Sequence, residues 1–253
     1  MASIHANGLD IAYTSEGEGP PLLLLHAATS SATEDWAAQR SVLRKHFRLY
    51  LPDARGHAAT RWDTSEGWSH AMLLADAVAF ADALGLERFH LAGLSMGAGT
   101  ALALAATYPE RVISAVLAAV GVEREPRSSV ARRLMDPQRI EREDAAWAQR
   151  MARRHDPVQG TGAWKRLMVA VRDDIVAGPL PTPEQLRRAR LPILLAYGDR
   201  DPWVPLEQAV ALRQRLPDAR LFVAPGVGHV VVAERPAAFN TVMLQFLRGT
   251  TGA

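Results

Sequence analysis

Residues 88–109, RFHLAGLSMGAGTALALAATYP, decide the fold of this 253-residue chain. The segment opens with a short apolar run, passes through GLSMG at 93–97 and ends in a stretch of alanine and leucine that is apolar on nearly every side. The first run predicts a buried strand, and the Ala/Leu stretch predicts a buried helix over 98–108. Ser95 is therefore expected on a sharp strand-to-helix turn, where glycines two residues away on either side leave room for the backbone.

Strands and helices alternate on both sides of this segment. Asn7-Gly8 lies between two short runs and predicts an N-terminal hairpin. The other predicted strands lie at 22–25, 48–53, 112–120, 192–199 and 220–226, and the other predicted helices at 36–45, 70–85, 206–216 and 237–247. Apolar runs separated by helices are typical of a parallel sheet that is covered on both faces. The predicted fold class is α/β, with a mostly parallel central sheet flanked by helices.

One region interrupts this alternation. Residues 123–190 show no strand pattern, contain six prolines and carry 15 basic against 10 acidic residues. We interpret them as a small helical lid inserted into a core domain made of residues 1–122 and 191–253. The positive charge favours anionic substrates if the arginines face a cleft, whereas arginines on a solvated helix surface have no such effect.

Composition narrows the possible functions. The chain has no cysteine, which excludes disulfides and thiolate chemistry, and its apolar fraction of 48% is that of an ordinary globular protein. The formal net charge is only +2, so nucleic-acid binding is not expected. No signal-peptide pattern and no long apolar run is visible, so we expect a cytoplasmic protein without a membrane partner. A homo-oligomer is compatible with the sequence, which does not determine the number of subunits.

Three residues are candidates for nucleophilic catalysis. A serine hydroxyl needs a base to take its proton, and that base needs an acid to orient it. Ser95, Asp201 in GDRDPWVP and His229 in GVGH each follow the carboxyl end of a predicted strand, so we expect them to meet at one edge of the sheet. Asp199 and Glu123 are alternative acids. We favour Asp201, because a residue beyond the turn can reach inward to His229.

In these motifs the chain resembles the α/β-hydrolase superfamily, particularly its small bacterial esterases, lactonases and haloperoxidase-like members. The resemblance is carried by LLLLHA at 22–27, PDARGH at 52–57, GLSMG at 93–97, YPERV at 108–112, GDRDPWVP at 198–205 and GVGH at 226–229. It implies that Ser95 is the nucleophile, His229 the base and Asp201 the acid. It also implies an oxyanion hole formed by the backbone N–H groups of Met96 and Ala28.

Ala27 and Ala58 stand where the family pattern has glycine. Because alanine has less backbone freedom in a tight loop, we expect Ala27 to change the shape of the oxyanion loop. The triad positions are unaffected by these replacements.

Two further groups of residues invite a functional interpretation. Trp36 and Trp203 lie next to the catalytic loops, where they either line a substrate pocket or pack beneath the loops. His26, His57 and Asp53 lack the spacing of a known metal motif, so no metal site is expected.

The sequence therefore predicts a serine hydrolase that cleaves a small carboxylic ester or lactone through an acyl-enzyme intermediate and needs no cofactor. The same fold also supports C–C bond hydrolysis, perhydrolysis and cofactor-free oxygenation, because a fold does not determine a reaction. A non-catalytic hydrolase-like protein that binds a small molecule is the alternative from another class. The complete set of serine, histidine and aspartate disfavours it.

Overall fold

One eight-stranded sheet forms the centre of the computed structural model, which describes residues 1–251. Its strands are β1 (Ala2–Ala6), β2 (Leu9–Glu16), β3 (Pro21–Leu25), β4 (Arg48–Pro52), β5 (Phe89–Leu94), β6 (Val112–Ala118), β7 (Ile193–Gly198) and β8 (Ala219–Ala224). Their order across the sheet is β1-β2-β4-β3-β5-β6-β7-β8. The pairs β1–β2 and β2–β4 are antiparallel and the remaining pairs are parallel. The sheet is therefore mostly parallel, as predicted.

The helices are α1 (Ala32–Asp35), α2 (Ala37–Leu43), α3 (His70–Ala83), α4 (Met96–Thr107), α5 (Arg127–Leu134), α6 (Pro137–Glu143), α7 (Ala145–Gln159), α8 (Ala163–Ala177), α9 (Pro183–Arg188), α10 (Leu206–Arg215), α11 (Val231–Glu234) and α12 (Pro236–Thr250). The helix predicted over 36–45 corresponds to α2, which ends earlier, at Leu43, and the short helices α1 and α11 are not predicted by the sequence. Within residues 1–251, no helix has both the length and the apolar character that crossing a bilayer requires.

Strand β3 shows how the core is divided between the two faces of the sheet. Leu23 and Leu25 belong to an apolar cluster with residues of α3 and α4, whereas Leu22 and Leu24 belong to a second cluster with residues of α2 and α12. Successive side chains of a strand point to opposite faces, so a continuous run of leucines fills both clusters. This packing fixes the central strands, whose carboxyl ends carry the candidate site.

The segment between β6 and β7 contains helices α5 to α9 and no strand. It has an apolar cluster of its own, built mainly from Trp164, Leu167, Met168 and Val171 of α8 together with Met151 of α7. This agrees with the helical character expected for residues 123–190. The assignment of that range as a separate lid unit stays a prediction.

Trp36 lies in the core, so the interpretation that it lines a substrate pocket is wrong. Its side chain is fully buried in the same cluster as Leu22 and Leu24. The indole Nε1 donates a hydrogen bond of 3.3 Å to the carbonyl oxygen of Leu25. The chain turns at Trp36 between α1 and α2, and the large ring fills the space beside β3.

We expect Trp36→Ala to lower the free energy of unfolding by about 3–5 kcal/mol, because the substitution leaves a large cavity in a packed core. Trp203→Ala is the comparison variant, since Trp203 is only half-buried and is expected to lose less. Urea unfolding followed by circular dichroism measures both values. A loss for Trp36→Ala no greater than that for Trp203→Ala would contradict the core assignment.

Candidate active site

Ser95 lies at the turn between β5 and α4 and adopts φ 50 and ψ −109. A positive φ is uncommon outside glycine and persists only where the surroundings hold it. The Ser95 N–H donates to the carbonyl oxygen of Ala118 at 2.8 Å. A Cβ on Gly97 would lie 2.6 Å from the carbonyl oxygen of His26, and one on Gly93 would also collide with α4. The glycines on either side of the serine are therefore required by the close approach of helix and sheet.

Ser95, His229 and Asp201 form a continuous hydrogen-bonded chain. The Oγ of Ser95 lies 2.8 Å from Nε2 of His229, and Nδ1 of His229 lies 2.7 Å from Oδ2 of Asp201. The other oxygen of Asp201 accepts the backbone N–H groups of Trp203 at 2.8 Å and Val204 at 3.2 Å. An ionised carboxylate only accepts hydrogen bonds, so Nδ1 carries the imidazole proton and Nε2 accepts from the serine hydroxyl.

The two alternative acids lie elsewhere. Asp199 accepts two backbone N–H groups of the loop after β8, at 2.6 and 3.2 Å, and thereby ties that loop to β7. Glu123 pairs with Arg215 at 2.7 Å. The structure therefore brings Asp201, and neither Asp199 nor Glu123, to His229.

A cavity of about 380 Å³ opens beside this chain of hydrogen bonds. Its wall includes Ser95, His229 and Trp203, and the segment between β6 and β7 contributes Met135 and Trp147. The ring of Trp203 lies 5.5 Å from that of His229, centre to centre. The size is that of a site for a small molecule. Of the two tryptophans considered from the sequence, only Trp203 lies in this wall.

Two backbone N–H groups in the cavity wall, those of Ala28 and Met96, have no acceptor in the part of the chain that the structure describes. Met96 is the first residue of α4, and a helix begins with N–H groups that lack an intrahelical partner and carry the positive end of its dipole. The preceding loop is held at Ala27, whose N–H donates to Asp35 at 2.7 Å. Ala27 has no positive φ, so it does not need the freedom of the glycine found in the family pattern.

Thr29, the residue after Ala28, has φ 59 and is held by three side chains. Its N–H donates to Nε2 of His57 at 3.2 Å. Its carbonyl oxygen accepts from Arg154 at 2.6 Å and from Nε2 of His155 at 3.1 Å. Arg154 and His155 belong to α7, so the segment between β6 and β7 helps to fix the loop that presents the Ala28 N–H.

The two histidines that hold the loop at Thr29, His57 and His155, are neutral at neutral pH. Nδ1 of His155 accepts the N–H of Ala58 at 3.0 Å, and Nδ1 of His57 lies 3.0 Å from the carbonyl oxygen of Arg55. Burial is the main cause that lowers the pKa of His57 well below its ordinary value and the pKa of His155 to about 4. Backbone groups occupy all four ring nitrogens, which leaves none of them for a metal ion.

A family model described as "Alpha/beta hydrolase family" matches residues 22–242. The chain belongs to the α/β-hydrolase family. This membership confirms the family and the fold class that the sequence motifs predicted.

Similar hydrolases differ in their reactions. RutD of Caulobacter sp. (strain K31), whose name provisionally assigns it carbamate hydrolase activity, is 29% identical over 246 residues, which cover 90% of both chains. The 2-hydroxy-6-oxo-2,4-heptadienoate hydrolase of Pseudomonas putida (strain F1) is 28% identical over 262 residues, covering 96% of this chain and 94% of the relative. The crystal structure of the enol-lactonase from Burkholderia xenovorans LB400 superimposes with a TM-score of 0.78 at 25% identity, covering 97% and 99% of the two chains.

Sequence reasoning missed three residues that shape this hydrolase's site, namely His70, Arg127 and His155. His70 and Arg127 line the cavity, and His155 fixes the loop of Thr29. The partner of His70 is Asp174, 104 residues away, so no local motif could signal the pair.

We expect stability to fall as the pH is lowered from about 6.5 to about 4. In this interval the unfolded chain protonates its histidines, whereas His57, His90 and His155 stay neutral in the fold because burial lowers their pKa values, those of His90 and His155 to about 4. Each such histidine removes about 1.4 kcal/mol of unfolding free energy per pH unit.

Urea unfolding at several pH values measures this dependence in the wild type and in His155→Gln. The variant lacks one of the three groups, so its slope against pH is expected to be shallower by about 1.4 kcal/mol per unit. His46→Gln is the control, because His46 is exposed and should leave the slope unchanged. Equal slopes for the wild type and His155→Gln would show that His155 is not held neutral.

Proposed function

We propose that this protein is a serine hydrolase that cleaves a small carboxylic ester or lactone through an acyl-enzyme intermediate. The observation that carries the proposal is the hydrogen-bonded chain from Ser95 Oγ through His229 to Asp201 at the edge of a cavity of about 380 Å³. Such an arrangement supplies a nucleophile, a base and an orienting acid at one point. Membership of a hydrolase family and the likeness to an enol-lactonase agree with this reaction.

In the proposed reaction, Ser95 Oγ attacks the carbonyl carbon while Nε2 of His229 takes the hydroxyl proton. His229 then gives this proton to the leaving alcohol oxygen, which leaves the acyl group on Ser95. A water molecule, deprotonated by His229, then attacks the acyl carbon. His229 returns this proton to Ser95 Oγ as the bond between Oγ and the acyl carbon breaks and the acid leaves. Asp201 keeps the imidazole in the required tautomer and stabilises its cationic form, since both oxygens of this buried carboxylate are fixed by hydrogen bonds.

The negative charge that develops on the carbonyl oxygen needs donors at fixed positions. We assign this role to the N–H groups of Met96 and Ala28, which line the cavity without another acceptor in residues 1–251. Donors that are already in place stabilise the oxyanion without reorganisation, and one such donor contributes about 2.7–4 kcal/mol to catalysis. The scheme needs no cofactor, and its partner is the small-molecule substrate rather than a nucleic acid or a membrane.

Hydrolysis of a C–C bond is the second candidate. It is favoured by the 28% identity to a 2-hydroxy-6-oxo-2,4-heptadienoate hydrolase over nearly the full length of both chains. The purified protein can be offered this dienoate and a series of short-chain esters in parallel. A kcat/KM for the dienoate above that for every ester would favour C–C bond cleavage over the first proposal.

We expect Ser95→Ala to lower kcat/KM for 4-nitrophenyl butyrate by roughly 10⁴- to 10⁶-fold, because no nucleophile remains at the turn. The circular dichroism spectrum should stay that of the wild type. Ser41→Ala, at an exposed position of α2, is the control and should retain full activity. A fluorophosphonate probe should label the wild type and Ser41→Ala but not Ser95→Ala. Substantial turnover by Ser95→Ala would exclude the serine mechanism.

The assignment of Asp201 as the acid that orients His229 can be tested separately. Asp201→Asn is expected to lower kcat by about 10³- to 10⁴-fold with little change in KM, because an amide at this position favours the wrong tautomer of His229. Asp199→Asn and Glu123→Gln should be much milder, since their carboxylates contact a loop backbone and Arg215. Steady-state kinetics on one ester ranks the three variants. The assignment fails if Asp201→Asn is the mildest.

A further inference from the structure

Arg127, the first residue of α5, lies in the wall of the cavity that holds Ser95. The same side chain lines an adjoining cavity of about 220 Å³. The two cavities also share His70, Gly99 and Gly121 in their walls. Arg127 therefore lies between the cavity beside the candidate nucleophile and a second cavity.

Only one guanidinium nitrogen of Arg127 has an acceptor within residues 1–251. Nη1 donates to the carbonyl oxygen of Gly121 at 2.9 Å, while Nε is buried without a partner and Nη2 also makes no hydrogen bond there. Nε and Nη2 form the edge of a guanidinium that matches the two oxygens of a carboxylate. A buried donor that lacks an acceptor is unfavourable, so this edge is suited to an external anion.

No acidic side chain of the described chain forms an ion pair with Arg127. The negative charge of Asp174 attracts the guanidinium of Arg127. Both carboxylate oxygens of Asp174 are already bound to His70, however, one to its backbone N–H at 3.3 Å and the other to its Nδ1. Burial lowers the pKa of Arg127, and the neighbouring Arg124 acts in the same direction. The ordinary value is so high that Arg127 remains charged at neutral pH.

Several other basic side chains between β6 and β7 are bound to acidic partners. Arg139 pairs with Glu143, Lys165 with Glu141, Arg172 with Asp173 and Arg188 with Glu184. Arg132 and Arg133 of α5 are exposed. The positive charge of residues 123–190 is therefore largely a property of the helix surfaces, and Arg127 is the basic side chain of this segment in the cavity wall.

We propose that the substrate carries a carboxylate in addition to the bond that Ser95 attacks, and that Arg127 binds this carboxylate through its Nε–Nη2 edge. The proposal rests on the hydrolase function proposed above, because it places the anion in the cavity of Ser95. It narrows the substrate class to a small ester or lactone with a free acid group. The bound carboxylate supplies the acceptors that the chain itself does not give Arg127.

Matched pairs of 4-nitrophenyl esters test the proposal: butyrate with the succinate monoester, pentanoate with the glutarate monoester and hexanoate with the adipate monoester. Within each pair, a terminal methyl group is replaced by a carboxylate at the same chain length. The measured quantity is the ratio of kcat/KM for the acidic ester to that for the neutral ester. Titration with a fluorophosphonate counts active molecules, so partial unfolding of a variant does not distort the comparison.

We expect the wild type to prefer the acidic ester in at least one pair. Arg127→Met should lower that ratio by about 10- to 100-fold, and Arg127→Lys should restore only part of it, because a lysine keeps the charge but loses the two-nitrogen edge. Arg132→Met, on the exposed side of the same helix, should leave the ratio unchanged. A wild type without such a preference, or a ratio that Arg127→Met does not change, overturns the proposal while ester turnover still supports the hydrolase function.

If the wild type turns over none of the esters, the proposed ester hydrolysis fails and the binding role is tested separately. Calorimetry then compares binding of the mono-4-nitrophenyl ester of succinate to Ser95→Ala and to the double variant Ser95→Ala/Arg127→Met. Binding that is at least about tenfold weaker in the double variant supports the carboxylate site. Equal binding, or no binding to Ser95→Ala, overturns it.

Discussion

The close approach of α4 to the sheet is the constraint on which the site depends. A Cβ at Gly93 would lie 2.5 Å from the backbone nitrogen of Ala98, so any larger residue would force the helix away from β5. With glycine there, Ser95 can take its positive φ and stand at the start of the helix. The same geometry leaves the N–H of Met96 free at the cavity wall. One backbone contact thus sets the position of both a hydroxyl group and an adjacent hydrogen-bond donor.

The loop after β3 depends on contacts from more distant parts of the chain. Its turn at Thr29 is stabilised by a histidine from the loop after β4 and by two neighbouring side chains of α7. These histidines serve as neutral donors and acceptors because burial disfavours their charged forms. The helical segment between β6 and β7 is therefore part of the framework of the site as well as part of its wall.

The strand ends and the segment between β6 and β7 contribute different groups to the site. In the proposed mechanism the reacting groups come from the ends of β5, β7 and β8, which the sheet holds in place. Part of the cavity wall around the rest of the substrate comes from the segment between β6 and β7, including Met135, Trp147 and Arg127. The relatives bear the names of different activities, which agrees with the rule that a fold does not determine a reaction.

Local sequence patterns were sufficient for the fold and for the residues that follow its strands. Apolar runs predicted the parallel strands, and GLSMG predicted the turn at Ser95, because both depend on neighbouring residues alone. The position after each strand also predicted that Asp201 and His229 would meet Ser95, since the carboxyl ends of parallel strands share one edge. Family resemblance supplied the oxyanion N–H groups of Met96 and Ala28, whose use remains a proposal.

Other features depended on contacts between distant segments. Trp36 had two equally good interpretations, and only the packing of α12 and β3 placed it in the core. His70 lies 104 residues from Asp174, and His155 lies 126 residues from Thr29. Whether Arg127 faces solvent, an acidic partner or a cavity cannot follow from its neighbours in the chain. Burial and pairing are properties of tertiary packing. Local patterns were therefore enough to predict the sheet and the candidate residues at its edge, whereas the side chains that surround those residues became known only from the folded chain.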